Sequence, residues 1–285
     1  MNLVVGATGY LGGLIAQRLL RLNQPVRITV RPGSDARDLI SCGAAPVAAD
    51  LKDFASLHRA CTGIDVVITT ANSAQRSGED SVDTVDRQGN SDLIKAASEA
   101  GVRQFIFISA FGATCSHRVP LLQAKAETEE TLRASGINYT ILAPHIFMDV
   151  WIPRIVGRAI TENRPVLLIG SGERKHSFIA AQDVAAFAVA SVGNEPAKNR
   201  KLELGGPKAI SWRDIIAMVG ARIGRNIDVA TVPIGQPVPD LPPFIIGLLT
   251  GMEMADVEVP MQETAQAFGV QLTNVEQFIA TQFAA

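Results

Sequence analysis

Three glycines at intervals of three, Gly6, Gly9 and Gly12, stand between two apolar stretches of different period. Leu3-Val4-Val5 precedes them, and Leu11, Leu14, Ile15, Leu19 and Leu22 follow at the spacing of one helix face. The pattern is strand, turn, helix. In such a unit the first glycine permits a sharp turn, the second lets backbone approach a pyrophosphate, and the third brings the helix close to the strand. The N–H groups that open the helix then face the phosphates. Gly6, Ala7, Thr8, Gly9, Tyr10, Leu11 and Gly12 are therefore candidates for a dinucleotide cradle. Their spacing differs from the G-x-G-x-x-G fingerprint, and a plain tight turn is the alternative.

Further candidates lie where later strands end. Residues 25–31 read as a second strand, and its end is where a dinucleotide fold meets the adenosine ribose. An acid there accepts from a 2′-hydroxyl, whereas an arginine accommodates a 2′-phosphate. This chain has Arg31, with Ser34 and Arg37 as further donors, which points to NADP(H); a solvated loop arginine is the bland reading. Asp50 and Leu51 follow a short third strand at 45–49. Asp50 is suited to the adenine amino group or, equally, to capping the next helix. Thr70, Ala71 and Asn72 close a fourth strand at 64–70 and would lie over the dinucleotide. Ser109 and Ala110 close a fifth at 104–109, and Pro144, His145, Ile146 and Phe147 close a sixth at 138–144. Lys125 lies on a helix at 120–134.

Strands alternating with helices at this spacing predict a doubly wound α/β fold, a parallel Rossmann sheet covered on both faces. The expected division is a dinucleotide-binding domain over 1–150 and a smaller substrate lobe over 151–285, interleaved with the main sheet. Residues 73–83 read as a flexible loop over the sheet's carboxyl edge. A helix at 84–100 turns Val85, Leu93, Ile94 and Ala97 inward and ends at Gly101. Helices at 181–191 and 212–223 follow. Six of the fifteen prolines fall between Pro233 and Pro260 around the apolar patch 244–249, so that stretch cannot be one regular element. It reads as a lid or partner surface, or else as an ordinary packed lobe.

Composition narrows the classes. The 26 basic and 28 acidic side chains give a net charge of −2, and the basic ones are scattered, which argues against nucleic acid or an anionic membrane as main partner. The three cysteines, Cys42, Cys61 and Cys115, lack metal-ligand spacing and fit plain buried thiols in a reducing compartment. A strand beginning at Asn2 leaves no room for a signal peptide, and no apolar run reaches membrane-spanning length. A soluble, cytoplasmic protein is expected.

Residues 6–12, Arg31, Ala48-Ala49-Asp50-Leu51, Ser109-Ala110, Lys125 with Glu127-Thr128-Glu129, Tyr139-Thr140-Ile141-Leu142, the run 178–184 and Gly205-Gly206-Pro207 occur in one order. That order resembles the NmrA-like, atypical short-chain dehydrogenase/reductases, which include NAD(P)H:quinone oxidoreductases and redox-sensing regulators. The resemblance implies a Rossmann domain with a substrate lobe, Arg31 on the 2′-phosphate and Lys125 toward the nicotinamide ribose. A lysine on the solvated face of its helix is the alternative for Lys125.

The chain departs from the wider family in its catalytic apparatus. Typical short-chain dehydrogenases carry a tyrosine four residues before the lysine, whose cation lowers the phenol's pKa. Here that position is Leu121, and the only tyrosines are Tyr10 and Tyr139. An isolated ketone lacks its usual acid. A quinone or conjugated enone can accept hydride and take its proton from water, helped by His117 or His145 if these are more than polar loop residues. The cleft for such an acceptor is expected at Phe147, Trp151 and the Phe244 region. The sequence therefore supports an NADPH-dependent reductase of a quinone or enone. The alternative is an NADP(H)-sensing regulator that grips a protein partner, or a second copy of itself, through the C-terminal lobe without turnover; an isomerase or assembly factor is a third possibility.

Overall fold

The apolar run before the first glycine is a strand, β1 (Asn2–Val5), buried along its whole length. A computed structural model describes residues 1–283 apart from 75, 77, 239 and 240. Gln75 and Ser77 of the expected 73–83 loop, and Pro239 of the proline-rich stretch, lie outside the described residues.

The first half alternates as its periodicity dictates: α1 (Tyr10–Arg21), β2 (Val26–Val30), α2 (Arg37–Ser41), β3 (Ala45–Ala48), α3 (Phe54–Cys61), β4 (Val66–Thr69), α4 (Asn90–Glu99), β5 (Gln104–Ile108), α5 (Pro120–Ala134) and β6 (Asn138–Pro144). There follow α6 (Met148–Ile152), α7 (Arg158–Thr161), β7 (Val166–Ile169), β8 (Lys175–His176), α8 (Ala181–Ala190), β9 (Arg200–Leu204), β10 (Ile210–Ser211), α9 (Trp212–Ile223), β11 (Val229–Val232), α10 (Pro243–Met252), α11 (Gln262–Phe268) and α12 (Val275–Gln282).

The main sheet has seven strands in the order β3-β2-β1-β4-β5-β6-β9, and the pairs from β3 to β6 are parallel. Chain order reverses between β1 and β4. In open α/β sheets ligands bind beyond the carboxyl ends of the strands at such a reversal. The register pairs Val5 with Thr69 and Val30 with Ala48, so Gly6, Thr70, Arg31 and Ala49 all leave the sheet at that edge. Beneath it, Leu57 of α3 and Leu93 and Ile94 of α4 are buried against Leu3, Val67 and Phe105.

The chain forms two compact units, Met1–Ala143 with Val184–Glu203, and Pro144–Asp183 with Leu204–Ala285. The expected division at 150 thus falls at 143, and the chain returns to the first unit because β9, which periodicity did not reveal, sits beside β6 as the seventh strand. In the second unit β7 pairs in parallel with β11 and β8 antiparallel with β10. Its core gathers Ile152, Val156, Val166, Ile215 and Val219 around an edge-to-face pair, Phe178 and Trp212, with centroids 5.0 Å apart.

Two local expectations need correction and a third holds. The helix expected at 84–100 begins earlier, as a wide π-type stretch, Val82–Gly89, because Ser81 and Thr84 form a reciprocal capping box. The proline-rich stretch, as expected, is not one regular element: Pro243 opens the ten-residue α10, where a missing N–H is harmless, and irregular chain flanks it. Only Cys61 is a buried thiol, its pKa pushed up to about 12 by burial; Cys42 and Cys115 sit in turns and are exposed.

Candidate dinucleotide site

Gly6 has φ 86°, a left-handed conformation that suits glycine. A Cβ on Gly12 would stand 2.2 Å from the Gly6 carbonyl oxygen, so the third glycine is needed for α1 to start against the turn. The Gly9 N–H closes the turn on Gly6 O at 3.0 Å. No side chain caps α1 and its first turn carries no acid, which leaves the positive end of the helix dipole suited to an anion. Thr70 braces the turn from below, its hydroxyl 3.4 Å from both Val5 O and Gly6 O. Ala7 is buried, Leu11 half-buried, and Tyr10 is 64% exposed.

One pocket of the first unit is lined by Gly6, Thr8, Arg31, Asp50, Leu51, Ala71 and Asn72, together with Thr29 and Arg76. It brings the end of β2 to the same cavity as the glycine turn. Two expected donors are not part of it. Arg37 instead grips Asp35 at 2.6 Å with its side chain 88% exposed, because the two are neighbours at the start of α2. Ser34 closes a turn through its backbone N–H on Arg31 O. Asp50 Oδ1 accepts from the Lys52 N–H at 2.8 Å, and the cap of α3 is Asp53, so Asp50 does not cap that helix. Asn72 folds its amide onto its own turn, donating to Thr70 O and accepting from the Ala74 N–H.

Arg31 is one of three cations on a single carboxylate. Arg31 Nη1 lies 2.7 Å and Arg76 Nη1 3.3 Å from Asp80 Oδ2, and Lys52 Nζ lies 2.8 Å from Asp80 Oδ1. Lys52 and Arg31 hold the Asp80 carboxyl below the usual range against the opposing effect of burial. Sequence reasoning missed Lys52, Arg76 and Asp80. Their signal was position, since Lys52 follows β3 and Arg76 and Asp80 follow β4 at the same edge.

Deeper in the same unit, Lys125 is 7% exposed and donates to Ile108 O at 2.7 Å, with Nζ 4.9 Å from the centre of the Phe107 ring. It is therefore not a lysine on the solvated face of its helix. Burial lowers its pKa, opposed by the charges of Asp86 and Glu129. Asp86, also missed, is 1% exposed and holds the segment after β4 by accepting from the Ser73 N–H and hydroxyl at 3.0 and 2.5 Å. Burial raises its carboxyl pKa, with Lys125 pulling the other way. Ser109 is buried and donates to Glu129, while Ala110 is half-buried in the turn beyond it. Leu121, where a phenol would stand, is half-buried.

The ends of β6 and its extension belong to the second unit. Pro144 and Ile146 are buried, and Phe147 bridges to Ile179. His145 packs beside His176, ring centres 5.5 Å apart, and burial lowers its pKa to about 4, so its ring is neutral at pH 7 and is no imidazolium acid there. His117 accepts from the Val119 N–H at 2.9 Å, tying its own loop. Among the described residues no group of His, Cys, Asp and Glu could hold a metal ion, and no helix is long and apolar enough to cross a membrane.

A glycine turn against an uncapped helix, an arginine after the second strand and a reversal of strand order define a dinucleotide-binding α/β protein. A profile of NAD(P)H-binding proteins matches residues 6–195. The chain belongs to that NAD(P)H-binding family, as an NmrA-like, atypical short-chain dehydrogenase/reductase, a group of NAD(P)H-dependent oxidoreductases. It is similar to the photosystem II assembly factor Ycf39 of Cyanophora paradoxa, 33% identical over 81% of this chain and 71% of that one. It is also similar to the NAD(P)H azoreductase of Xenophilus azovorans, 29% identical over 83% and 78%. Across its first relatives the chain spans 58% to 78% of their lengths. The NADPH-dependent quinone oxidoreductase of Escherichia coli, crystallised with NADPH, shares its fold at a TM-score of 0.82, with 99% and 100% of the two chains covered and 21% identity.

Proposed function

We propose that the protein is a cytoplasmic, NADPH-dependent reductase of a quinone or similar conjugated carbonyl compound. The observation that carries the cofactor choice is Arg31, which occupies the place where an acid would favour NADH and lines the same pocket as Gly6 and Thr8. The residues fit the group. The turn and the N-terminus of α1 suit the pyrophosphate, Asp50 and Leu51 the adenosine end, and Ala71 and Asn72 the edge beyond β4. Lys125, its amine bonded to Ile108 O in the field of Asp86 and Glu129, is assigned to the nicotinamide ribose side. The dinucleotide, when bound, supplies the hydride; the protein supplies positioning and exclusion of water.

The acceptor class follows from acid chemistry. With leucine at 121, Ser109 committed to Glu129 and His145 neutral at pH 7, these three positions offer no acid to protonate a developing alkoxide. A hydroquinone anion forms readily and takes its proton from solvent. The three free cysteines support a reducing compartment.

The same lack of a phenol, together with the assembly-factor name of Ycf39, favours a second reading in which NADP(H) binding controls a protein partner without turnover. One assay separates them. Purified protein should oxidise NADPH with at least one member of a quinone and enone panel and ignore saturated ketones. Tight NADPH binding with no turnover on the whole panel, and partner capture that depends on NADP(H), establishes the second reading instead.

A further inference from the structure

We propose that Asp80 is a built-in counter-anion of the cationic cluster and sets how tightly the site takes a 2′-phosphate. The inference rests on the NADPH reading above. Arg31, Lys52 and Arg76 come from three separate stretches, after β2, β3 and β4, and converge on one carboxylate whose side chain is only 10% exposed. Their own side chains are 35%, 29% and 29% exposed. Two further acids act on Lys52: Glu79, 3.6 Å away and 93% exposed, so solvent screens it, and Asp50, half-buried in the same pocket, whose Oδ1 accepts from the Lys52 backbone N–H. Three cations converge on the one carboxylate of Asp80, where an ordinary surface ion pair brings one.

Each donor matches a phosphate monoester at least as well as a carboxylate. A phosphate brings three acceptor oxygens and nearly two charges, where Asp80 brings two oxygens and one charge. Two of the three cations, Arg31 and Arg76, also line the pocket that contains Gly6 and Asp50, the region assigned to the adenosine ribose. Asp80 is held in place rather than swinging freely, since the next residue, Ser81, is locked in the capping box with Thr84. Its charge is therefore a fixed deduction from the field that a 2′-phosphate meets. Asp80 opposes the phosphate, and NADP(H) must either displace the carboxylate from the cations or share them with it.

A plain alternative is that Asp80 merely orients Arg31 for the phosphate, and the two ideas predict opposite signs. The probes are 2′,5′-ADP and 5′-AMP, titrated calorimetrically into the full chain. In Asp80→Asn and Asp80→Ala, 2′,5′-ADP should bind roughly five- to fiftyfold tighter than in wild type, since one like charge is removed within contact distance of the phosphate site. Affinity for 5′-AMP should stay within about twofold, and the gain should shrink as salt rises. Unchanged or weaker 2′,5′-ADP binding in variants that melt like wild type overturns the proposal, as does an equal gain for 5′-AMP. Should both variants fail to fold, Lys52→Gln, at a partly exposed lysine, decides the matter: it should weaken 2′,5′-ADP about tenfold and spare 5′-AMP, and equal affinities for both would remove Lys52 from the cluster and the proposal with it. The wild-type ratio of the two ligands tests the NADPH reading by itself, whereas Asp80 is judged on the change between wild type and variant.

Discussion

Ser109 donates its hydroxyl to Glu129 Oε1 at 2.5 Å, and the same carboxylate receives Lys201 at 2.9 Å and Arg133 at 2.8 Å. The serine that follows β5 is thereby tied to α5 of the first unit. Ser109→Ala should cost about 1.5 kcal/mol, at the low end for a buried charge-assisted bond, because Glu129 keeps both cations. NADPH affinity should change little. A tenfold loss of affinity at unchanged melting temperature would return Ser109 to the cofactor.

Gly12→Ala should disable the site by packing alone. The added methyl meets Gly6 O at 2.2 Å, and backbone on both sides must move. Overpacking of this kind costs about 1–3 kcal/mol or more. Thermal melting should drop, and NADPH fluorescence titration should show binding lost beyond what the melting shift explains. Wild-type binding in the alanine variant would mean that the turn does not hold the pyrophosphate.

Lys125→Ala should destabilise the fold as well as weaken cofactor binding, because the lysine is buried. Loss of its stem leaves a cavity worth about 2–4 kcal/mol. Lys125→Met refills that volume without the charge. If the amine serves the cofactor, the methionine variant should recover most of the melting temperature yet still bind NADPH poorly or transfer hydride slowly. Recovery of both would confine Lys125 to a structural role.

Acid should destabilise the protein through the second unit. The folded pKa of His145, about 4, lies below the unfolded value of 6.5, so above pH 6.5 the group contributes nothing to the pH dependence. As pH falls from 6.5 to 4 the unfolded chain binds a proton that the native state refuses, a loss that reaches about 3 kcal/mol once complete. His176 is shifted in the same direction by burial. Asp86 works the other way, since its raised pKa lets the native state bind its proton first. Denaturant titrations from pH 7 to 4 should show a shallower loss in His145→Asn than in wild type; parallel curves would contradict this account.

Arg31→Asp should lower NADPH affinity roughly ten- to hundredfold, the equivalent of about 1.5–3 kcal/mol for a charge-assisted phosphate contact, with little effect on NADH. Fluorescence titration of both cofactors measures it. Equal binding of NADH and NADPH by the wild type would remove Arg31 from the 2′-phosphate.

The sequence by itself determined the repeating half of this protein. Val4, Ile28, Ile68, Phe105 and Ile141 sit in runs whose apolar character reflects burial on both faces, and the bounds of α5, β6 and α9 match their periodicity because Pro120, Pro144 and Ser211 punctuate them locally. The glycine turn and Arg31 were equally legible, since each acts through its own backbone or its place after one strand. The rest depends on contacts between distant stretches, which leave no local period. β9 is a strand because β6 offers it an edge, and β11 because β7 does. Lys52, Arg76 and Asp80 are ordinary surface charges in the sequence until the parallel order of β2, β3 and β4 brings their ends together. Lys125, on a helix of mixed character, can be buried because Ile108 O accepts its hydrogen bond and the charges of Asp86 and Glu129 act on it. Charge is written in the sequence residue by residue, but the field at a site is the sum over neighbours that only the tertiary structure brings together.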